Sequence, residues 1–314
     1  MNKNKEISSS FSIQNLVRKT ILNMKSYSSA RDEFKEFETN LVFLDANENP
    51  FSNGYNRYPD PQQKLLKTLL AKQKKVSSSQ ILLGNGSDEV LDLLYRAFCE
   101  PNLDNIITLP PTYGMYGVLA DLNAIENREV LLTTDFEPNV DEILNAVSKN
   151  TKIIFLCSPN NPTGNSFSDE SILYLLKNFN GLVVLDEAYI DFSEQESFLR
   201  DLSEFSNLAV SQTFSKAYGM AGVRLGMLFA SEELINWINK IKPPYNINQL
   251  TQEFVLDKLS DTDKVKAEIE LIVKGRNKLL KELLTMEQIV QVYPSDSNFI
   301  LVKVKNANEL YNYL

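Results

Sequence analysis

"LAVSQTFSKAYGMAGVRLG", Leu208–Gly226, decides the fold. It begins as a short run suited to a strand buried on both faces, as in a mostly parallel sheet. It continues with Lys216 and Arg224 set among small residues, with Gly219, Gly222 and Gly226 and no acid. A solvated loop would not exclude acids, and a core segment would not bury two unpaired cations. A strand ending in such a turn points to a ligand at its carboxyl end.

The same device recurs upstream. "ILLGNGSDE" starts at Ile81, "IITLPPTYGMY" at Ile106, "IIFLCSPNNPTGN" at Ile153 and "LVVLDEAYIDF" at Leu182. Helical spacing lies between the runs: Val90, Leu93, Leu94, Ala97 and Phe98, then Val140–Ser148 and Glu170–Asn178. This alternation predicts an α/β fold, its mostly parallel sheet flanked by helices, with five polar motifs converging on one crevice. After Ser231 a helical pattern is broken at Pro243-Pro244. A long charged helix is expected from about Thr251 to Thr285, then a half-buried strand over Ser297–Val304 and a helix in "ANELYNYL". The expected organisation is an arm and part of a small domain over 1–40, a large domain over 41–245, and a small α+β domain over 246–314.

The 314 residues are 43% hydrophobic and 23% charged, as in a soluble globular protein. A net charge of −9 argues against a nucleic-acid or anionic-membrane partner. No stretch approaches the ~20 apolar residues of a membrane span, and the first residues lack the apolar run of a signal peptide. Cys99 and Cys157 sit in apolar settings and are expected to be buried thiols in a reducing cytoplasm. There is no histidine. That removes histidine triads, histidine bases and most zinc sites, so no metal is expected. Acid–base chemistry must fall to lysine, carboxylate, tyrosine or a cofactor.

Each motif admits a bland and a chemical reading. In "GNGSDE" the glycines precede a helix whose first turn, with Ser87 and Asp88, can bind phosphate, although Asp88 could equally be a cap. "SPNNPTGN" must be an ordered turn; Asn161 can donate to a ligand oxygen or serve the turn alone. "LDEAY" ends a strand at Asp186, with Tyr189 three residues on. A carboxylate there can keep a pyridine nitrogen protonated, cap a helix or bind magnesium. Lysine is the residue that forms a Schiff base with an aldehyde, and Ser215 and Arg224 beside Lys216 are candidate phosphate donors.

Seven motifs, "LDANENP", "NRYPDP", "GNGSDE", "PPTYGMY", "SPNNPTGN", "DEAYIDF" and "TFSKAYGMAGVRLG", resemble in order and spacing the fold-type I aminotransferases dependent on pyridoxal phosphate. Within them the chain resembles the histidinol-phosphate aminotransferases of histidine biosynthesis. The resemblance runs from about Asn15 to Leu314. It implies a large domain with a seven-stranded sheet, and pyridoxal 5′-phosphate held through Lys216, which also serves as the proton-moving base. Asp186 would pair with the ring nitrogen, Asn161 and Tyr189 would contact the 3-oxygen, and Tyr113 would stack on the ring. Ser87, Asp88, Ser215 and Arg224 would hold the phosphate. Tyr58 would reach the phosphate from the partner subunit of a homodimer, while Tyr27 and Asn47, with Tyr58, would face the substrate.

The implied reaction converts L-histidinol phosphate and 2-oxoglutarate into imidazole-acetol phosphate and L-glutamate. Alternatives are an aromatic or broad-specificity aminotransferase, a phosphoamino-acid decarboxylase of the same fold, or a cofactor-binding but impaired form. Relatives carry carboxylate-binding arginines in a later strand like "RITVG", beyond the position matching Leu314. An incomplete small domain is therefore expected, with cofactor binding less affected than turnover.

Overall fold

The computed structural model describes residues 11–27 and 42–314, so most of the expected arm lies outside the described residues. Seven strands form one sheet: β1 (Ile81–Gly84), β2 (Asn105–Thr108), β3 (Glu126–Glu129), β4 (Thr151–Cys157), β5 (Leu182–Asp186), β6 (Leu208–Thr213) and β7 (Gly226–Ala230). Their order is β1-β7-β6-β5-β4-β2-β3. All neighbours run parallel except β7, which is antiparallel to both β1 and β6. Helices α1 (Lys19–Leu22), α2 (Lys64–Lys74), α3 (Ser87–Phe98), α4 (Met115–Leu122), α5 (Val140–Ala146), α6 (Asp169–Asn178) and α7 (Glu232–Asn239) accompany it. The mostly parallel α/β sheet expected from the apolar runs is the one observed. Two strands escaped that reading. β3 is the polar edge segment "ENRE", and β7 begins inside the ligand-binding motif.

Strand parity explains the two cores. Ile154, Leu156, Val183, Leu185, Leu208 and Val210 pack on one face with α2, α6 and α8. Ile153, Phe155, Cys157, Leu182, Val184 and Ala209 pack on the other with α3, α4 and α7. Side chains alternate with a period of two, so runs such as "IIFLC" must be apolar at every position. The same parity sends Asp186 to the α3/α4 face, with Val184, and Glu187 to the other, with Leu185.

The single helix expected over Thr251–Thr285 is two, α8 (Gln249–Lys258) and α9 (Thr262–Leu283). Asp261 stops one and starts the next, accepting the Lys264 N–H at 3.4 Å. α8 adds Val255 to the larger core, whereas α9 has no fully buried residue. The strand expected over Ser297–Val304 shrinks to β9 (Val302–Val304), paired antiparallel with β8 (Ile289–Val292). The Ser295 hydroxyl accepts the Ser297 N–H at 3.1 Å and the Ser297 hydroxyl accepts the Phe299 N–H at 3.3 Å. Such local bonds compete with a ladder. Helix α10 (Ala307–Tyr313) follows. Among the described residues no helix is long and apolar enough to cross a membrane.

Candidate active site

The carboxyl ends of β4, β5 and β6, with the start of α3, line one cavity. Its lining includes Ser87, Tyr113, Asn161, Asp186, Tyr189 and Lys216, six of the residues singled out in the sequence. Cys157 and Ala188 complete the wall. Both cysteines are buried free thiols, as expected, and burial pushes the Cys157 thiol up to about 12.

Asp186 is buried at the end of β5. Its Oδ2 accepts the Tyr116 hydroxyl at 2.9 Å and its Oδ1 the Ala188 N–H at 3.2 Å. Burial pushes its carboxyl up to about 6, against the lowering effect of those two donors. Lys216 is exposed, and its Nζ lies 5.3 Å from the centre of the Tyr189 ring. Tyr113 donates to Asp88 at 3.1 Å, so the Asp88 carboxylate is spent on orienting that ring, leaving Asp88 only its backbone for an anion. Burial and Asp88 together push the Tyr113 phenol up.

The turn after β4 divides its two asparagines. Asn160 is fully buried and holds the loop, donating to the Pro111 carbonyl at 2.9 Å and to Thr163 Oγ1 at 2.7 Å. Asn161 is left to line the cavity.

The phosphate end rests on glycine. Gly86 is the N-cap of α3 with φ 78° and ψ 169°, and no side chain caps the helix there. A Cβ at Gly86 would stand 2.5 Å from Arg224 Nη2, and one at Gly226 would collide with the backbone of Gly86 and Ser87. The Gly86 N–H also donates to the Arg224 carbonyl at 3.1 Å. The guanidinium therefore lies across an uncapped helix N-terminus, where N–H groups and dipole favour an anion. A flat ring with an anionic arm fits this cradle, with the Asp186 carboxylate and the Lys216 amine on the cavity wall and the N–H groups and guanidinium beside it. Ser215 and Arg224 are not in the cavity wall; Ser215 is half-buried, its N–H donating to Thr213 Oγ1 at 3.1 Å. Among the described residues no group of His, Cys, Asp or Glu is arranged for a metal ion.

The residues expected to face the substrate lie elsewhere. Tyr27 is 74% exposed and Tyr58 51%. Tyr58 stacks on Tyr245 at 4.5 Å, and with exposed Asn47, at φ 54°, it lines a separate cavity. That cavity shares no lining residue with the first. The sequence reading missed Tyr116 and Glu187. Glu187 is buried beneath the site, accepting from Ser197 Oγ, from the Phe198 N–H at 2.8 Å and from Gln212 Nε2 at 2.8 Å. Parity along β5 is the signal that separates it from Asp186.

A family model described as aminotransferase class I and II matches residues 34–314. A histidinol-phosphate aminotransferase of Flavobacterium johnsoniae is 64% identical over 305 residues, 97% of this chain and 87% of the relative. That of Flavobacterium psychrophilum is 63% identical over 304 residues, 97% and 88%. Solved structures share the fold. The histidinol-phosphate aminotransferase of Clostridium acetobutylicum superposes with TM-score 0.75 at 24% identity, covering 82% of this chain and 77% of its own. That of Sinorhizobium meliloti, in complex with pyridoxal-5′-phosphate, gives 0.74 at 23%, covering 82% and 70%. With the sheet, the strand-end cavity and the match over most of its length in agreement, the chain belongs to the aminotransferase class I and II family.

Proposed function

We propose that this protein transfers the amino group of L-histidinol phosphate to 2-oxoglutarate, giving imidazole-acetol phosphate and L-glutamate, with pyridoxal 5′-phosphate as cofactor. The observation that carries the reading is one cavity with Lys216 and Asp186 on its walls beside an uncapped helix N-terminus crossed by Arg224. The names of relatives at 63–64% identity supply the substrate. When bound, the cofactor carries the amino group between the two substrates and draws electrons from the carbon that loses its proton.

This chain's own residues do the rest. Asp186, as carboxylate, holds the proton on the ring nitrogen. Asn161 and Tyr189 orient the ring oxygen, and Tyr113 covers the ring face. Ser87, the Asp88 backbone, Ser215 and Arg224 hold the phosphate. Lys216 would hold the aldehyde end of the cofactor and would move the proton at the substrate Cα.

The exposure of Tyr58, Tyr27 and Asn47 away from the cavity supports a homodimer in which Tyr58 serves the partner's phosphate and all three face substrate; a solution mass of one chain would overturn it. The division into 1–40, 41–245 and 246–314 is proposed with it, α8 lying between the larger core and the smaller part. The two buried thiols support a cytoplasmic setting.

The test is a donor comparison. Protein with added cofactor should be yellow, bleach with histidinol phosphate and form glutamate from 2-oxoglutarate far faster than with phenylalanine. Lys216→Ala should lower the rate roughly 10²- to 10⁴-fold. A preference for phenylalanine, or carbon dioxide released from threonine phosphate, would replace the reading with one of its relatives.

A further inference from the structure

Asp186 is placed by a residue the motif reading passed over. Tyr116 is fully buried on α4, and its ring is packed by two others. It stacks on Phe155 at 4.9 Å and 14°, Phe155 stacks in turn on Tyr95, and Tyr113 meets Tyr116 edge-on at 5.6 Å. Tyr95 also donates to the Tyr116 carbonyl at 2.7 Å, anchoring the backbone beneath the ring. So held, the Tyr116 hydroxyl donates to Asp186 Oδ2 at 2.9 Å. Burial and Asp186 push its phenol well above the ordinary value, which keeps the donor protonated.

We propose that Tyr116 is a positioning residue that keeps Asp186 ionised and aimed at the cofactor's ring nitrogen. Other groups around the carboxylate do not take its place. The Ala188 N–H serves the other oxygen. The Cys157 thiol, beside Asp186 in the β4–β5 register, donates to the Pro159 carbonyl at 3.5 Å. Ser211, beside Asp186 in the β5–β6 register, is fully buried, and its hydroxyl has no partner. Asp88 opposes the charge, Lys216 favours it, and Tyr113 adds its phenol from α4's entry. Tyr116 is thus the side-chain donor to a carboxylate that burial drives toward the neutral acid, and a hydrogen bond to the ion offsets that cost.

The proposal rests on the reading of Asp186 as partner of a pyridine nitrogen, and the test separates the two. In cofactor-free protein, the infrared carboxylate band of Asp186, assigned by its loss in Asp186→Asn, gives the ionisation midpoint. Tyr116→Phe is expected to raise that midpoint by about one pH unit. Pyridoxal phosphate affinity should fall about tenfold at about pH 5 but only about twofold at about pH 7, so that the pH at which affinity is lost rises with the midpoint. In an Asp186→Asn background, Tyr116→Phe should change affinity less than about twofold. Tyr116→His, a flat ring with an N–H donor, should retain most of the affinity, and it answers the question if the phenylalanine variant does not fold.

An unmoved midpoint in Tyr116→Phe, an equal loss of affinity at every pH and in both backgrounds, or a histidine variant as weak as the phenylalanine one would overturn the proposal. A wild-type protein that binds no pyridoxal phosphate would sink the cofactor reading while leaving the midpoint test intact.

Discussion

Two adjacent carboxylates, Asp186 and Glu187, end β5 on opposite faces of one sheet, both nearly inaccessible to water. Glu187 is closed in by Ser197, the Phe198 N–H and Gln212. Asp186 has one phenol and one N–H, and an open cavity lies against it. Burial raises both. A carboxylate with a full set of donors ties the loop after β5 to β6. One left short of donors in a cavity is disposed to accept a proton-bearing ligand, and the shortfall marks the functional residue.

The largest way to break the comparison is Glu187→Ala, which leaves three donors facing an apolar void. We expect a loss of about 4 kcal/mol in urea unfolding of cofactor-free protein. A loss under about 1 kcal/mol would mean that Glu187 is not structural.

Asp186→Asn should act in the opposite sense. The folded chain holds the Asp186 proton more tightly than an ordinary aspartate, about 6 against 3.8. Its contribution to stability is therefore greatest in acid and is lost as pH rises from about 4 to about 6. Above pH 6 the wild type carries a penalty of about 3 kcal/mol, which the asparagine variant should relieve in the absence of cofactor. Equal stabilities at pH 4 and pH 8, relative to wild type, would refute this.

A smaller effect sharpens the contrast at the phosphate end. Gly86→Ala must adopt a backbone conformation open in practice only to glycine and push Arg224 aside. It should cost about 2 kcal/mol in stability and weaken pyridoxal phosphate binding, while binding of pyridoxal, which lacks the phosphate, stays close to wild type. Equal weakening of both ligands would place Gly86 outside the phosphate end.

Much of this was legible in the sequence because it lies on strands buried on both faces. The starts of β1, β2, β4, β5 and β6 announce themselves as apolar runs, and the polar residues that follow must then converge. Lys216, Asp186, Asn161, Tyr189 and Ser87 were singled out on those motifs and Tyr113 through the resemblance, and all six line one cavity. Tyr116 was not, because its role depends on α4 packing over Phe155, a contact no local pattern encodes. The polar strand β3 and the break before α9 escaped for a related reason: one lacks an apolar signature, and the other turns on a single cap at Asp261. The placing of Tyr58 and Asn47 in their own cavity was equally hidden, since a spacing along the chain does not say which cavity a loop will join.

The sheet's connectivity also sets the order in which the protein can come together. β1 and β7, the first and last strands of the seven, pair antiparallel, bringing Gly84 opposite Gly226. The proposed phosphate cradle lies where they meet, with Gly86 and Ser87 on one side and Arg224 on the other. Closing that pair spans most of the large sheet's sequence, an entropically slow contact. Ligand-binding competence should thus arrive late in refolding, after most helical structure has formed. The appearance of cofactor colour would then serve as a clock for completion of the sheet.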